Sequence, residues 1–238
     1  MAKTDTDNGR QSKAGQPQTR RGVETRARLV RAAKKVFERD GFLDARITDI
    51  SNGAGFSHGA YYHYFDSKEQ LFREVAELQE EQLTAPPDDP RLADAPGDSP
   101  KGRILKANRR YLQRYREEAR IMGVIEQVSR YDEQVNEVRM NRMKHFAERS
   151  ERAIRRWQQE GIADPELDPA LAADALGAMV GRFAELWLVQ GYRDYDFDHV
   201  VEQLSRVWAN ALQINDDANE GRQRRKESRP PRSAKATS

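Results

Sequence analysis

The sequence predicts an all-α protein, built as a small N-terminal group of three helices followed by a larger C-terminal helical bundle. Apolar residues recur at three- and four-residue spacing nearly throughout residues 24–214. No alternating run flanked by hairpin turn residues occurs, and no internal repeat is visible. A content of 37% hydrophobic and 34% charged residues over 238 positions suits soluble domains with a real core.

The elements follow in order. Residues 1–22 are polar and basic, and are expected to be a disordered arm. Leu29, Ala33, Val36 and Phe37 form one face of a first helix over 24–39, with Gly41 as its stop signal. A second helix spans 47–54, a third 58–64 and a fourth 68–83. Ser67 with Gln70 three positions later makes a capping-box pattern at the start of the fourth.

The segment 84–100 carries five prolines among several aspartates, so it reads as a linker or mobile loop. Helices are then expected over 101–116, 120–130 and 132–160, and the last is closed by Gly161 and Pro165. Two more follow, over 170–190 and 197–214. Both are apolar around more than one face, which calls for a second partner, and a homodimer interface is expected there. A basic tail, 216–238, is expected to be disordered.

Several function classes are excluded or weakened. The chain has no cysteine, hence no disulfide, thiol nucleophile or cysteine-based metal site. The four histidines, at 58, 63, 145 and 199, show no metal-ligand grouping, so no metal, cofactor or catalytic residue is expected. With no signal-like or membrane-length apolar run, the chain reads as cytoplasmic. Charge is unevenly placed: residues 1–65 hold twelve basic against seven acidic side chains, and residues 66–99 hold three against ten. A basic front followed by an acidic stretch suggests a polyanion-binding surface confined to the first 65 residues.

The chemistry concentrates in ITDISNGAGFSHGAYYHYFDSKEQLF, residues 47–72. At 3.6 residues per turn, Tyr61 and Phe65 share one face of the third helix, and His58, Gly59, Tyr62 and His63 share the opposite one. Tyr61 and Phe65 are expected to pack inward, leaving the other four on the outside. Gly55 supplies the tight turn between the second and third helices, and Ser57 is placed to cap the third.

The run from Arg26 to about Val75 resembles the DNA-binding domain of TetR-family transcriptional regulators. The matching positions are Ile50, Ala54 and Gly55, then Ser57, Gly59, Tyr62 and Phe65, then Ser67, Lys68, Glu69 and Leu71. It covers about 50 residues, and the remainder matches only in helical layout.

The resemblance implies a helix-turn-helix DNA-binding head over 23–66, and a connecting helix with a ligand-binding and dimerisation domain over 67–215. It also implies an inverted-repeat operator read by the third helix, with half-sites about 34–36 Å apart or a multiple of that. Regulators of this kind are most often repressors released by a small effector. Arg46, Thr48, Ser57, His58, Gly59, Tyr62, His63 and Lys68 then form the implied DNA-binding set. Thr48, Tyr62 and Lys68 match phosphate- or base-contacting positions, and His58, Gly59 and His63 match positions against base edges. Arg46 stands where the family usually has a capping Ser or Thr, so Asp44 is expected to cap the second helix and Arg46 to reach a phosphate.

Other features carry two readings. Arg28, Arg31, Lys35 and Arg39 on the first helix read as a solvated face, with DNA contact as the alternative. Tyr115, Met122, Met143, Phe146, Trp157, Phe183 and Trp187 are candidates to line a pocket for a hydrophobic or amphipathic effector, and equally fit an ordinary core. An all-helical enzyme or small-molecule carrier is the competing function class.

Overall fold

The structure is a computed structural model and describes residues 19–86, 89–95 and 97–214. The arm and tail assigned to 1–22 and 216–238 lie outside these residues, except for 19–22. There Thr19 caps the first helix by accepting from the Gly22 amide at 3.2 Å, so the helix begins earlier than the apolar pattern indicates. The described residues hold nine α-helices and no strand. They are α1 (Arg20–Asp44), α2 (Ile47–Ala54), α3 (His58–Tyr61), α4 (Lys68–Thr84), α5 (Pro100–Glu117), α6 (Ala119–Val128), α7 (Glu133–Gln159), α8 (Pro169–Ala184) and α9 (Phe197–Ala211). Gly41, at φ 73°, interrupts α1 where the sequence stops it.

The chain divides into two compact units. The first comprises residues up to Gln82 together with Arg120–Met140; the second comprises Leu83–Ala119 and the chain from Asn141 on. The first unit therefore takes in most of α4, α6 and the start of α7, which the sequence groups with the larger domain. This regrouping joins segments distant in sequence: Arg73 of α4 pairs with Asp132 at 2.9 Å.

In the first unit, Leu29, Ala33 and Phe37 of α1 meet Ile50, Ala54, Tyr61, Phe65, Leu71 and Phe72, all of them buried. Phe37 and Phe42 both stand edge-on to Phe72, at 4.9 and 5.0 Å between ring centroids. Each large apolar side chain removed from water contributes about 1.5–3 kcal/mol, which lets such short helices hold their places. Gly55 ends α2 in the left-handed region at φ 74°, with its amide on Asn52 O and the Phe56 amide on Ser51 O. α3 is a single turn, shorter than the 58–64 expected, and Tyr62–Tyr64 continue it as turns.

In the second unit, α5 and α9 pack along Ile104, Asn108, Leu112 and Tyr115 against Val201, Leu204, Ser205 and Trp208, with a buried Asn108–Ser205 hydrogen bond of 3.1 Å. α8 passes into one π-helical turn, Glu185–Val189. Leu171, Ala175 and Ala178 of α8, and Val207 and Ala211 of α9, lie exposed, so both helices keep an outward face containing apolar residues.

The segment 84–100, expected to be a linker or mobile loop, is fastened to its own unit. Arg114 donates to the Ala85 and Pro86 carbonyls, Arg110 to Leu92 O and Asp94, and Arg149 to Asp94 at 2.8 Å. Lys106 bridges Ala93 O and Asp98. The partners come from α5 and α7, so no local pattern announces them.

The Lys106 ammonium, joined by the Ala95 amide, holds the Asp98 carboxyl below its usual range. Burial alone would raise Asp94, but Arg110 and Arg149 outweigh it and lower that carboxyl too. Both carboxylates stabilise the folded loop above the unfolded value of about 4, and that contribution is lost as pH falls through their lower folded values. Amide exchange over 89–95, corrected for intrinsic rate, is expected to be slow at pH 7 and at least about tenfold faster near pH 3.

Candidate nucleic-acid interface

The first unit presents one short helix on a fixed frame. Tyr61 is fully buried and donates to the Ser67 carbonyl at 2.8 Å; burial pushes its hydroxyl above the ordinary value. Phe65 is fully buried beside it, with ring centroids 5.7 Å apart. The opposite side is open. Tyr62 is 45% exposed, and His58, Gly59 and His63 are exposed. His58 and Tyr62 stand edge to face at 5.3 Å. A Cβ built on Gly59 would meet nothing within 4 Å, so the surface beside these rings is bare enough for a close-approaching partner.

Three further members of the implied set lie around α3. Ser57 is the N-cap, its hydroxyl accepting from the Ala60 amide at 3.3 Å. Thr48 and Arg46 are exposed at the start of α2. Arg46 occupies the N-cap position with no side-chain cap bond, and Asp44 does not supply the expected one; the first-turn amides of Asp49 and Ile50 turn back to the Arg46 carbonyl instead. The remaining orphan amides at this end are free to meet an anion.

Lys68 departs from its assigned role. Its ammonium donates to the carbonyls of Phe42, Leu43 and Ala45, at 2.7, 3.1 and 3.0 Å, and lies 4.7 Å from the Phe42 ring centroid. An ammonium has three donors, and all three are engaged with backbone. Lys68 thus ties the start of α4 to the end of α1, and no donor is left for a phosphate in this arrangement.

Two arginines missed as structural parts do the same elsewhere. Arg28 donates to Ala54 O at 2.7 Å, closing the end of α2, and stacks on Phe56 at 4.7 Å. Arg26 donates to Tyr64 O at 2.8 Å after α3 and lies 4.3 Å over Phe65. A cation therefore meets carbonyls at or just beyond the end of each of the first three helices, and Lys68, Arg28 and Arg26 lie over the rings of Phe42, Phe56 and Phe65. Of the first-helix series, Arg39 pairs with Asp40 and approaches Asp49, while Arg31 and Lys35 are exposed.

The seven candidate pocket residues do not form one lining. Tyr115 and Phe146 both contact the Tyr111 ring, and Phe183 and Trp187 belong to a separate group with Tyr195 and Phe197. Trp157 is buried in the same unit. Met122 belongs to the core of the first unit, and Met143 is 37% exposed on α7. Among the described residues no group of three His, Asp or Glu side chains is arranged to hold a metal ion, and no helix is long and apolar enough to cross a membrane.

Fold and site together define an all-helical protein with an N-terminal helix-turn-helix head. Residues 29–75 match the model of the bacterial regulatory proteins, tetR family. The uncharacterized HTH-type transcriptional regulator YdgC of Bacillus subtilis is 46% identical over 55 residues, 23% of this chain and 28% of that protein. The HTH-type transcriptional repressor NicS of Pseudomonas putida is 45% identical over 53 residues, 22% of this chain and 25% of that protein. The alignments thus span about a quarter of the length of these relatives. Among solved structures, the fatty acid degradation regulator FadR of Bacillus halodurans superposes with a TM-score of 0.64 at 16% identity, covering 80% of this chain and 97% of that one. A transcriptional regulator of Pseudomonas aeruginosa PAO1 gives 0.63 at 19% identity, covering 80% and 90%. Residues 29–75 thus match the head of that family, and the likeness in fold to the solved structures extends over 80% of this chain.

Proposed function

We propose that this protein is a transcriptional regulator that reads an inverted-repeat operator in duplex DNA as a homodimer, and that it acts as a repressor released by a small hydrophobic or amphipathic effector. The observation that carries the reading is the outward quartet of His58, Gly59, Tyr62 and His63 on a helix anchored from behind by Tyr61 and Phe65. Imidazole and phenol groups offer donors and acceptors to base edges, and Gly59 permits close approach to the groove. Arg46, Thr48 and the free amides at the start of α2 supply phosphate contacts.

The exposed apolar positions of α8 and α9 provide the face for a second copy, which sets two recognition helices for two half-sites. The aromatic groups around Tyr111 and around Trp187 in the second unit suit an apolar effector. Such an effector lowers operator affinity by its differential free energy for the two dimer states. The naming of one relative as a repressor and of one fold neighbour as a regulator of fatty acid degradation agrees with this reading.

The test is an anisotropy titration with the duplex upstream of the protein's own gene, beside a random-sequence duplex. The expected result is preferential binding that weakens by about a thousandfold between 50 and 200 mM salt if six phosphates are contacted. Equal binding to both duplexes contradicts the reading.

A further inference from the structure

We propose that Arg26 is a positioning residue that couples the connecting helix to the recognition helix, acting as the single link between the Glu74 carboxylate of α4 and the carbonyl that follows α3. This rests on the DNA-binding reading above. One guanidinium makes both contacts. Its Nε and Nη2 engage Glu74 at 3.1 and 2.5 Å, and its Nη1 donates to Tyr64 O at 2.8 Å. The plane lies on Phe65, one residue beyond Tyr64, so the arginine is held against the anchor of α3 as well as its end. Arg26 and Glu74 are largely covered, with side chains 19% and 24% exposed, so neither is offered to a phosphate.

The physical consequence lies in the rigidity of the fork. A guanidinium is planar, and a bidentate carboxylate pair fixes its orientation, so the Nη1 N–H that meets Tyr64 O has one direction available. Displacing Glu74 therefore displaces the donor that holds Tyr64. The hydroxyl of Tyr61 on the Ser67 carbonyl, and Lys68 on the end of α1, fix the first turn of α4 to the head. Glu74 lies further along the same helix. A shift or rotation of α4 is thereby delivered to the end of α3, and the pose of Tyr62 and His63 against base edges depends on a pair that touches no DNA.

Charge alone predicts the opposite sign from this coupling, which makes the test sharp. Removing an acid from a DNA-binding head should tighten every DNA complex. Coupling instead predicts that Glu74→Gln weakens sequence-specific binding. Wild-type protein first selects a duplex from a random-sequence pool. Anisotropy then compares that labelled duplex with a random one for wild type, Glu74→Gln, Arg26→Lys and the double variant, with melting followed by circular dichroism.

The expected result is an affinity for the selected duplex lower by about tenfold in either single variant, no further loss in the double variant, and unchanged or tighter binding to the random duplex. Selected-duplex binding as tight as wild type or tighter in Glu74→Gln overturns the proposal. So does a parallel loss on both duplexes, which is what a merely structural pair would give. Wild-type protein that selects no sequence overturns the DNA-binding reading itself, and the coupling with it.

Discussion

Tyr61→Ala is expected to remove about 3–5 kcal/mol from the stability of the first unit, the range for deleting a large aromatic side chain from a packed core. Tyr61 is fully buried, stands beside Phe65, and places its hydroxyl on the Ser67 carbonyl at 2.8 Å. Truncation leaves a cavity and unties α3 from the start of α4. Since a domain has only about 5–15 kcal/mol to lose, thermal melting followed at 222 nm should show the head unfolded or nearly so at 37 °C. The same burial raises the hydroxyl above its ordinary value, so its stabilising contribution is complete at neutral pH. It is lost as pH rises beyond about 10, where the unfolded phenol ionises and the folded one resists. A Tyr61→Phe variant, keeping the ring, should lose about 1 kcal/mol with the hydrogen bond and should lack most of that alkaline sensitivity.

Tyr62→Ala, one position on, is expected to do the reverse. Its side chain stands on the open face, so stability should stay within about 0.5 kcal/mol of wild type. Affinity for the selected duplex should fall by about 10- to 100-fold, a loss of about 1.4–2.8 kcal/mol, because an aromatic group in the centre of an interface carries a large share of the binding energy. Melting and anisotropy on the same preparation separate the two cases. Adjacent tyrosines with opposite phenotypes would be hard to reconcile with any other orientation of α3.

That split between Tyr61 and Tyr62 was legible in the sequence because helical period alone assigns the faces. Gly41 and Gly55 were legible for a related reason: both take φ near 73–74°, where glycine has no steric cost, and the first interrupts α1 while the second ends α2. Cations were not legible in the same way. Counting Lys and Arg over residues 1–65 gives the sign of the surface, but Arg26, Arg28 and Lys68 are spent on helix-end carbonyls that exist as targets only once the helices have packed. The resemblance assigns Lys68 to a phosphate, whereas its ammonium meets the carbonyls of Phe42, Leu43 and Ala45. The fastening of 84–100 was hidden similarly, since Arg110 and Arg114 of α5 and Arg149 of α7 reach carbonyls and a carboxylate that they meet only once the segment folds back on these helices. Periodicity also marked Met122 and Met143 as one apolar set, whereas the fold buries the first in one unit and leaves the second on the surface of α7.

The central claim is that the His58, Tyr62, His63 face of α3 meets duplex DNA. The most direct measurement is photocrosslinking with p-benzoylphenylalanine in place of Tyr62, using the selected duplex, and with the same group in place of Tyr192, which is more exposed but lies in the second unit. The account predicts a DNA adduct from position 62 that is lost with competitor duplex, and none from position 192. An adduct at 192 without one at 62 would contradict it.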